Sequence, residues 1–497
     1  MFNVSAKINF FVFDYKNLIL FFIEHSIMKS NIYILLLFFS INIVAQNNPL
    51  DKINAEFDAF KRKIDTEQQQ YIDEKNREFA EYLRNTWEAF PVSEDTENLN
   101  FIDIDAFPVS ERIPVTYSTV RESGSVQYRP VSTSLFGDKL IFKIDGKTNL
   151  NMKYIAERNI GETWEKLSAT DYVTILQTAQ EWQNTTGIND WGMVMLFQEL
   201  SRELFPSKHN EQLMFTVFLL NQIGIDAKLG RIGKPLDNNS HLVILLSFQV
   251  PVSFFIGVEI DKRTYYVMED ASSFNISSLH AFSGKIFSYK GNHALAKQGV
   301  NLWVKAIPSM KGSVKQKQIP FTSHNPPLKL DLKWNKSLVD FYDTYPQTHL
   351  AVYLRAGISN DLKQAFETTF APLKLNDTQF AGLLLNWFHK DFSYKRDDDL
   401  YGHDRCFFAE QSISHHYTDC EDRAVLFAQI MHLITGLDVA LIVYDDHVAA
   451  GVCFKEKVGG TSVVSKNKVY TICDPTYIGA KVGEPMSAGE VKNVITL

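Results

Sequence analysis

Two segments of the sequence repeat the same order of features, and this repetition constrains the fold more than any other property of the chain. Residues 211–226 and residues 427–438 each contain an apolar run, then Gly, then an apolar residue and Asp. After each segment a histidine, His241 or His447, opens an apolar strand. Self-similarity of this kind indicates one supersecondary unit that is used twice.

The third shared feature is a later strand that ends in an aspartate. Asp270 closes such a strand upstream, and Asp474 closes one downstream. Helices followed by strands predict an α+β fold, present once in residues 151–290 and again in residues 346–497. The alternative is that two ordinary helix-then-strand units look alike by chance.

The downstream unit contains a polar stretch with the features of a helix start. Thr418 can act as the N-cap, and Glu421, three residues later, completes a capping box. Cys420 then lies in the first turn, where free N–H groups and the helix dipole stabilise a thiolate. The upstream counterpart falls near residues 208–210, which contain no cysteine. The upstream copy is therefore predicted to be degenerate and unable to perform thiol chemistry.

The order of Cys420 in a helix start, His447 opening a strand and Asp474 before Pro-Thr resembles the transglutaminase-like branch of the papain-like cysteine enzymes. The local sequences DCEDRA, DHVAAGV and CDPTY carry this resemblance. It implies a transglutaminase-like C-terminal domain in a protein of the bacterial exported type. It also implies Cys420 as nucleophile, His447 as base and Asp474 as the group that orients His447. The implied activity is thiol-dependent hydrolysis or acyl transfer on peptide or protein amides.

The same stretch suggests how the oxyanion would be bound. The backbone N–H of Cys420 is one expected donor, and Tyr417 is the candidate for a second.

The reaction requires no cofactor and no metal. A zinc site is an alternative that fits no common finger spacing; it would use His415, His416, Cys420 and His447. A different class of function is a non-catalytic binding or scaffold protein of the cell envelope that retains the fold.

All cysteines lie in the C-terminal part of the chain, as Cys406, Cys420, Cys453 and Cys473. If His447 and Asp474 share one face of a sheet, Cys453 and Cys473 point to opposite faces and do not bond. A Cys406–Cys420 disulfide is the open alternative, and it would block the nucleophile.

The acidic loop 396–399 is predicted to be solvated surface, with a calcium site as the alternative because aspartates provide hard oxygen ligands.

The N-terminal region is predicted to direct export. Residues 28–45 combine a short basic region, an apolar core and a small residue at Ala45, which are the features of a secretory signal. Residues 1–27 would be an upstream leader, and an N-terminal membrane anchor is the alternative. The protein is therefore expected to be periplasmic or secreted, without stable membrane insertion after cleavage. Its net charge of −8 gives no electrostatic reason to expect nucleic acid as a partner.

Between the signal and the repeated units, the pattern changes twice. Residues 46–92 carry apolar side chains at spacings of three and four, which predicts a long amphipathic helix. Such a helix can lie across the protein or dock an envelope protein partner. Residues 93–150 are predicted to form a small β element, and residues 291–345 a β-rich connector.

Overall fold

The structure is a computed structural model that describes residues 49–94, 99–107, 126–237, 240–253, 256–268, 284–321, 327–486 and 489–497. It contains both helices and mainly antiparallel sheets, so the predicted α+β class is confirmed. The predicted leader 1–27 and signal segment 28–45 lie outside the described residues. Among the described helices, none has the length and apolar character that a membrane crossing requires.

The long N-terminal helix, α1, spans Pro49–Leu83 and ends before residue 92, where the prediction had placed its end. Strand β1, Glu88–Glu94, begins within the range predicted for the helix. It pairs with two strands of the upstream sheet, one on each side. Phe90, which the sequence pattern assigned to the helix, packs against the core of that sheet. Long-range strand pairing therefore overrides the local helical spacing here.

A hairpin of β2, Tyr128–Leu135, and β3, Asp138–Asp145, follows within the predicted small β element. A second hairpin, of β9, Val314–Phe321, and β10, Leu328–Asn335, lies within the predicted connector. The connector is less β-rich than expected, because residues 291–313, all of them described, form no regular strand. Helix α6, Lys336–Asp343, ends this part of the chain.

In its described residues, the upstream module consists of four helices and a barrel. The helices are α2 (Glu157–Ser168), α3 (Val173–Thr186), α4 (Asp190–Leu204) and α5 (His209–Gln222). The strands are β4 (Ala227–Ile232), β5 (His241–Leu246), β6 (Ile256–Ile260), β7 (Arg263–Met268) and β8 (Lys285–Ser288). They close with β1 into a barrel in the order β1-β6-β7-β5-β4-β8. Asp270, predicted to close its strand, lies outside the described residues.

The downstream module begins with a group of helices and two very short strands. These are α7 (Leu350–Ala356), α8 (Asn360–Phe370), α9 (Asp377–Asp391), β11 (Ser393–Tyr394), α10 (Asp397–Leu400), α11 (Ala409–Ser414), β12 (Tyr417–Thr418) and α12 (Cys420–Thr435). The sheet strands are β13 (Val439–Val443), β14 (Val448–Val452), β15 (Ser462–Ser465), β16 (Lys468–Cys473) and β17 (Asn493–Thr496). Helix α12 packs against β13 and β14.

The two modules have the same strand order after their central helices. The order is β6-β7-β5-β4-β8 after α5 and β15-β16-β14-β13-β17 after α12. The first residue pair is Ala227–Leu246 in the β4–β5 hairpin and Val439–Val452 in the β13–β14 hairpin. When these two pairs are aligned, Leu242 corresponds to Val448. The same count aligns His241 with His447. Both modules lie in one compact unit, residues 75–110 and 124–497, and the boundaries predicted between them remain predictions.

His293 gives the upstream module a pH-dependent stability. Its ring packs edge-on to Phe79, and its Nδ1 accepts a hydrogen bond from the Leu295 N–H at 3.3 Å. Burial lowers the pKa of His293 from 6.5 to about 3. The unfolded chain therefore binds a proton that the folded protein excludes, so stability is complete above pH 6.5 and declines as the pH falls toward 3.

When the pH falls from roughly 7.5 to 5, protonation of this histidine in the unfolded chain is expected to lower the free energy of unfolding by about 2 kcal/mol. Urea unfolding of the His293→Leu variant at both pH values should show a smaller fall in the free energy of unfolding, because this contribution is missing. His416→Leu is the matched control, because His416 is exposed. Equal pH dependence in the His293→Leu variant and the unchanged protein would contradict the assignment.

Candidate active site

Helix α12 begins one residue later than the sequence predicts. Asp419, and not Thr418, is the N-cap, and Asp422 takes the place expected for Glu421 in the capping box. Thr418 instead belongs to β12, which pairs with β11 in parallel. This long-range pairing holds Thr418 in an extended conformation and shifts the cap by one position. Cys420 is the first residue of α12 and keeps its predicted place in the first turn.

Arg423 fixes the start of α12 against the rest of the site. Its buried guanidinium donates to Thr418 Oγ1 at 3.2 Å, to the Phe392 carbonyl at 2.8 Å and to the Pro475 carbonyl at 3.5 Å. These bonds join the helix to the end of α9 and to the loop that follows Asp474. The sequence analysis missed this role, although an arginine at the edge of a buried apolar run was a usable signal.

His447 and Asp474 form a buried hydrogen-bonded pair. His447 Nε2 lies 2.9 Å from Asp474 Oδ2, and both side chains are almost fully buried. Asp474 also accepts from the backbone N–H groups of Met486, Thr476 and Tyr477, at 3.0, 3.0 and 3.2 Å. Burial alone would raise the pKa of Asp474, but the bonds from His447 and the backbone outweigh it and lower the pKa.

The charge of Asp474 determines the tautomer of His447. An ionised carboxylate accepts but does not donate, so the proton of the neutral imidazole lies on Nε2. The Nδ1 atom then carries the lone pair. It has no hydrogen-bond partner among the residues that the structure describes. His447 is thus arranged to accept a proton at Nδ1.

His389 supports the same loop from the opposite side. Its Nε2 lies 3.2 Å from the backbone carbonyl of Asp474, and its Nδ1 accepts from the Gly479 N–H at 3.3 Å. These two hydrogen bonds hold both sides of the turn that carries Asp474. The sequence analysis did not single out His389, because nothing local to α9 indicates a partner in a distant loop.

Cys420 is half-buried and lies beside the residue that follows His447. The backbone N–H of Val448 favours the thiolate of Cys420, while the thiol donates to Glu421 Oε2 at 2.9 Å. Burial, followed by the charges of Glu421 and Asp419, raises the pKa of Cys420. Burial and these charges oppose the thiolate that the helix start was predicted to stabilise, and that stabilisation stays a prediction.

The cysteines carry no disulfide. Cys406, Cys420, Cys453 and Cys473 are all free thiols. The alternative Cys406–Cys420 bridge is absent, so no disulfide blocks Cys420. Cys406 and Cys473 are buried, and burial raises the pKa of both thiols.

Tyr417 lies in β12 with its side chain exposed, and Lys395 Nζ lies 5.7 Å from its ring centroid. Its role as an oxyanion donor stays a prediction.

The alternative zinc site is not assembled. His415 Nε2 bonds Asp343 Oδ1 at 3.1 Å, and the His416 ring packs edge-on to Tyr417. Within the described ranges, neither ring nor His447 joins Cys420 in a group of closely spaced metal-ligand atoms. The groups that do form are Asp419-Cys420-Glu421 and Asp397-Asp419-Asp422.

The acidic loop is only partly solvated, in contrast to the prediction. Asp398 and Asp399 are exposed, but Asp397 is buried at the start of α10. Its Oδ2 accepts from the Arg405 N–H at 2.7 Å. Burial and the charge of Glu421 raise the pKa of Asp397 to about 7. The fold of the following loop turns this side chain inward, which composition alone does not reveal.

The upstream module has an amide side chain, Asn210, near the start of α5. The N–H of Leu242, the counterpart of Val448, donates to Asn210 Oδ1 at 2.8 Å. Lys208, at the N-cap of α5, donates to the Leu150 carbonyl at 3.0 Å.

Comparison with known proteins gives no match to any family model, curated protein or solved structure. The function is therefore argued from the contacts of the site and from the local sequences that carry the resemblance.

Proposed function

We propose that the protein is a thiol-dependent amide hydrolase or acyltransferase of the transglutaminase-like type, acting on peptide or protein amides. The observation that carries the proposal is the buried His447–Asp474 pair at 2.9 Å. The backbone N–H of Val448, the residue after His447, favours the thiolate of Cys420. Cys420, His447 and Asp474 would then act as the nucleophile, the base and the orienting carboxylate that this chemistry needs.

The reaction begins with transfer of the thiol proton of Cys420 to Nδ1 of His447. The sulfur attacks the carbonyl carbon of the amide, and the backbone N–H of Cys420 binds the oxyanion. Asp474 stabilises the imidazolium through Nε2. The tetrahedral intermediate then expels the amine, which takes the proton from Nδ1, and a thioester remains on Cys420. Water cleaves the thioester in hydrolysis, and an amine cleaves it in transfer.

Exposed apolar and aromatic side chains lie near these residues in the chain. Tyr477, Ile478 and Met486 are exposed, and they lie on the loop that donates three backbone hydrogen bonds to Asp474. Tyr394 and Tyr417 are exposed on β11 and β12, next to the start of α12. Apolar and aromatic side chains at the surface contact substrate side chains, so we assign them to substrate binding.

The upstream module is proposed to be a degenerate copy of the transglutaminase-like fold. Its strand order and hairpin register repeat those of the downstream module. Asn210 occupies the place of the nucleophile, because it binds the N–H of Leu242, the counterpart of Val448. An amide is not a nucleophile for acyl transfer, so this copy has a structural or substrate-binding role.

A second candidate is a non-catalytic binding or scaffold protein of the cell envelope. The thiol of Cys420 donates to Glu421 Oε2 at 2.9 Å, and burial with nearby carboxylates raises its pKa. Both observations favour a resting, protonated thiol. In this candidate α1 would dock the partner. Export to the periplasm or beyond is part of both proposals, and it rests on residues 28–45.

Alkylation of Cys420 separates the two candidates. At about pH 7.5, His447→Ala is expected to slow alkylation of Cys420 by iodoacetamide about tenfold to a hundredfold, because the base that takes the thiol proton is removed. Peptide mass spectrometry on protein lacking residues 1–45 measures the rate at each cysteine.

Cys453 is the internal control, since it is half-buried in the same protein and its rate should not change. An unchanged Cys420 rate in His447→Ala would favour the scaffold candidate over the enzyme. A parallel rise at Cys406 and Cys473, both buried, would instead show that the variant has lost its fold.

A further inference from the structure

The downstream sheet has two edge strands that line the same cavity. Among the strands of the described residues, β15 pairs only with β16, and β17 only with β13. The cavity measures about 430 Å³ and is lined by residues 463–466 at β15 and residues 491–496 at β17. Edge strands present backbone N–H and C=O groups that can pair with a further strand. The two edges and this cavity therefore form a gap that suits one extended segment.

In the upstream module, β1 fills the corresponding gap. The shared strand order makes β6 the counterpart of β15 and β8 the counterpart of β17. Strand β1 pairs antiparallel with both β6 and β8, and its Phe90 and Val92 pack against the core of the barrel. Neighbouring strands are antiparallel throughout both sheets, so β15 and β17 point the same way, as β6 and β8 do. The downstream edges can therefore accept a strand in the same orientation.

The sequence of β1 occurs a second time in the chain, directly after residues that line the gap. Residues 89–94 and residues 106–111 are both Ala-Phe-Pro-Val-Ser-Glu. The second copy follows residues 103–105, which line the cavity together with the two edges. Of this copy, residues 106–107 are described and residues 108–111 lie outside the described ranges. An exact repeat of this kind indicates one structural element that is used twice.

Asp105 fixes the place where the second copy begins. Its carboxylate pairs with Lys466 Nζ at 2.6 Å, in the turn that follows β15. The same carboxylate lies 3.5 Å from Arg355 Nη2, and this guanidinium donates to the carbonyl of Thr496, the last residue of β17. Asp105 is thus held at the C-terminal ends of both edge strands. A strand that starts there and enters the gap runs antiparallel to β15 and to β17, as β1 does between its own neighbours.

The turns after β6 and β15 align the two edges residue by residue. Residues 261–262 join β6 to β7, and residues 466–467 join β15 to β16. All of these turn residues have positive φ, so the two hairpins have the same kind of turn. When the turns are superimposed, Val463 is the counterpart of Val258. Both valines face the core of their own sheet.

We propose that residues 106–111 pair as an extra strand between β15 and β17. Val92, the fourth residue of the first copy, pairs with Val258. The fourth residue of the second copy is Val109, so the same register places it opposite Val463. Since Val463 is only partly buried where it packs against the core, a valine beside it removes apolar surface from water.

The ion pair of Asp105 agrees with this register. Counting back along the β1–β6 pairing puts Glu88 beside residue 262, in the upstream turn. Asp105 is the counterpart of Glu88, because each directly precedes the alanine of its copy. It pairs with Lys466, in the downstream turn. The ion pair and the repeated sequence therefore give the same register independently.

The extra strand belongs to the sheet that carries two of the candidate catalytic residues. Strand β14 follows His447 directly, and β16 is followed by Asp474. Pairing at both edges ties these strands into a barrel like that of the upstream module. The inference does not rest on the proposed amide chemistry, because its test needs no substrate.

An engineered disulfide tests the position and the register together. Val109→Cys and Val463→Cys are combined in the full-length protein with Cys453→Ala, because Cys453 packs against the same core. Directly opposed residues of neighbouring strands have their Cβ atoms close enough for a disulfide. We expect mild oxidation to give an intrachain disulfide between the two introduced thiols, detected by peptide mass spectrometry without reduction.

Val109→Cys with Val464→Cys is the matched control. Val464 is the next residue of β15 and is 70% exposed, so its side chain points to the other face and should not cross-link. If the cysteine variants do not fold, Val109→Asp provides a second test. We expect it to lower the Tm by roughly 4–8 °C, because it puts a charge against the core, and Ser110→Asp to change the Tm by less than about 1 °C.

Each contrary result assigns the gap to something else. A disulfide that joins two chains would give the gap to a second copy of the protein. Absence of any disulfide in the folded variant would leave it to a strand of another protein. Either result would overturn the proposal, as would equal cross-linking in the control pair or equal Tm values for Val109→Asp and Ser110→Asp.

Discussion

Cys420→Ala and His447→Ala are each expected to lower kcat/KM for amide cleavage by about 10³-fold or more. The first removes the sulfur that forms the thioester. The second removes the group that takes the thiol proton and later gives it to the leaving amine. Since both act in the same steps, the double variant should be little slower than either single one.

The measurement is the release of amine from a mixed peptide library, followed by mass spectrometry at matched protein concentrations. Cys453→Ala is the control, because Cys453 is a half-buried free thiol in the same module with no role in the proposed reaction. Full activity in Cys420→Ala would exclude the proposed nucleophile. Losses that multiply in the double variant would show that the two residues act independently.

Asn76→Leu is expected to lower the free energy of unfolding by about 3–5 kcal/mol. Asn76 is fully buried on α1, and its Oδ1 accepts from Trp164 Nε1 at 3.0 Å and from Gln222 Nε2 at 2.8 Å. Its Nδ2 donates to Gln222 Oε1 at 3.2 Å. Leucine leaves the indole N–H of Trp164 unsatisfied and removes two bonds from Gln222, so a network that joins α1 to α2 and α5 is lost.

Urea unfolding at neutral pH measures this loss. Gln70→Leu is the matched control, because it exchanges an exposed amide on the same helix for the same apolar side chain. We expect it to change the free energy of unfolding by less than about 0.5 kcal/mol. A loss in Asn76→Leu no larger than in the control would mean that the amide network contributes little to the stability of α1.

The helices of both modules were largely predictable from local patterns. The apolar runs of the repeated segments, residues 211–226 and 427–438, lie mostly in α5 and α12. Their apolar positions recur with the period of a helix over many residues, and that signal needs no distant partner. Strand β5 begins at His241, and strand β14 follows His447 directly, as the sequence indicated.

The contacts within the site could be found only from the tertiary structure. Nothing near residues 396–399 shows that Asp397 turns inward while Asp398 stays exposed, because burial depends on the loop that packs over it. Arg423 and His389 act through carbonyl and amide groups far away in the sequence. The raised pKa of Cys420 likewise depends on burial and on the placement of Glu421 and Asp419.

The sequence by itself determined the α+β class, the central helices and the order of the candidate catalytic residues, because periodicity, Gly-ended helices and histidine-led strands are local features. Only the tertiary structure decided where α1 ends, which residue caps α12 and which carboxylates meet beside Cys420. Residues with a helical pattern form strand β1, which closes a barrel. Thr418, which was predicted as the N-cap, lies in β12 and pairs with β11 instead. In each case, hydrogen bonds and burial between distant segments outweigh a weak local preference.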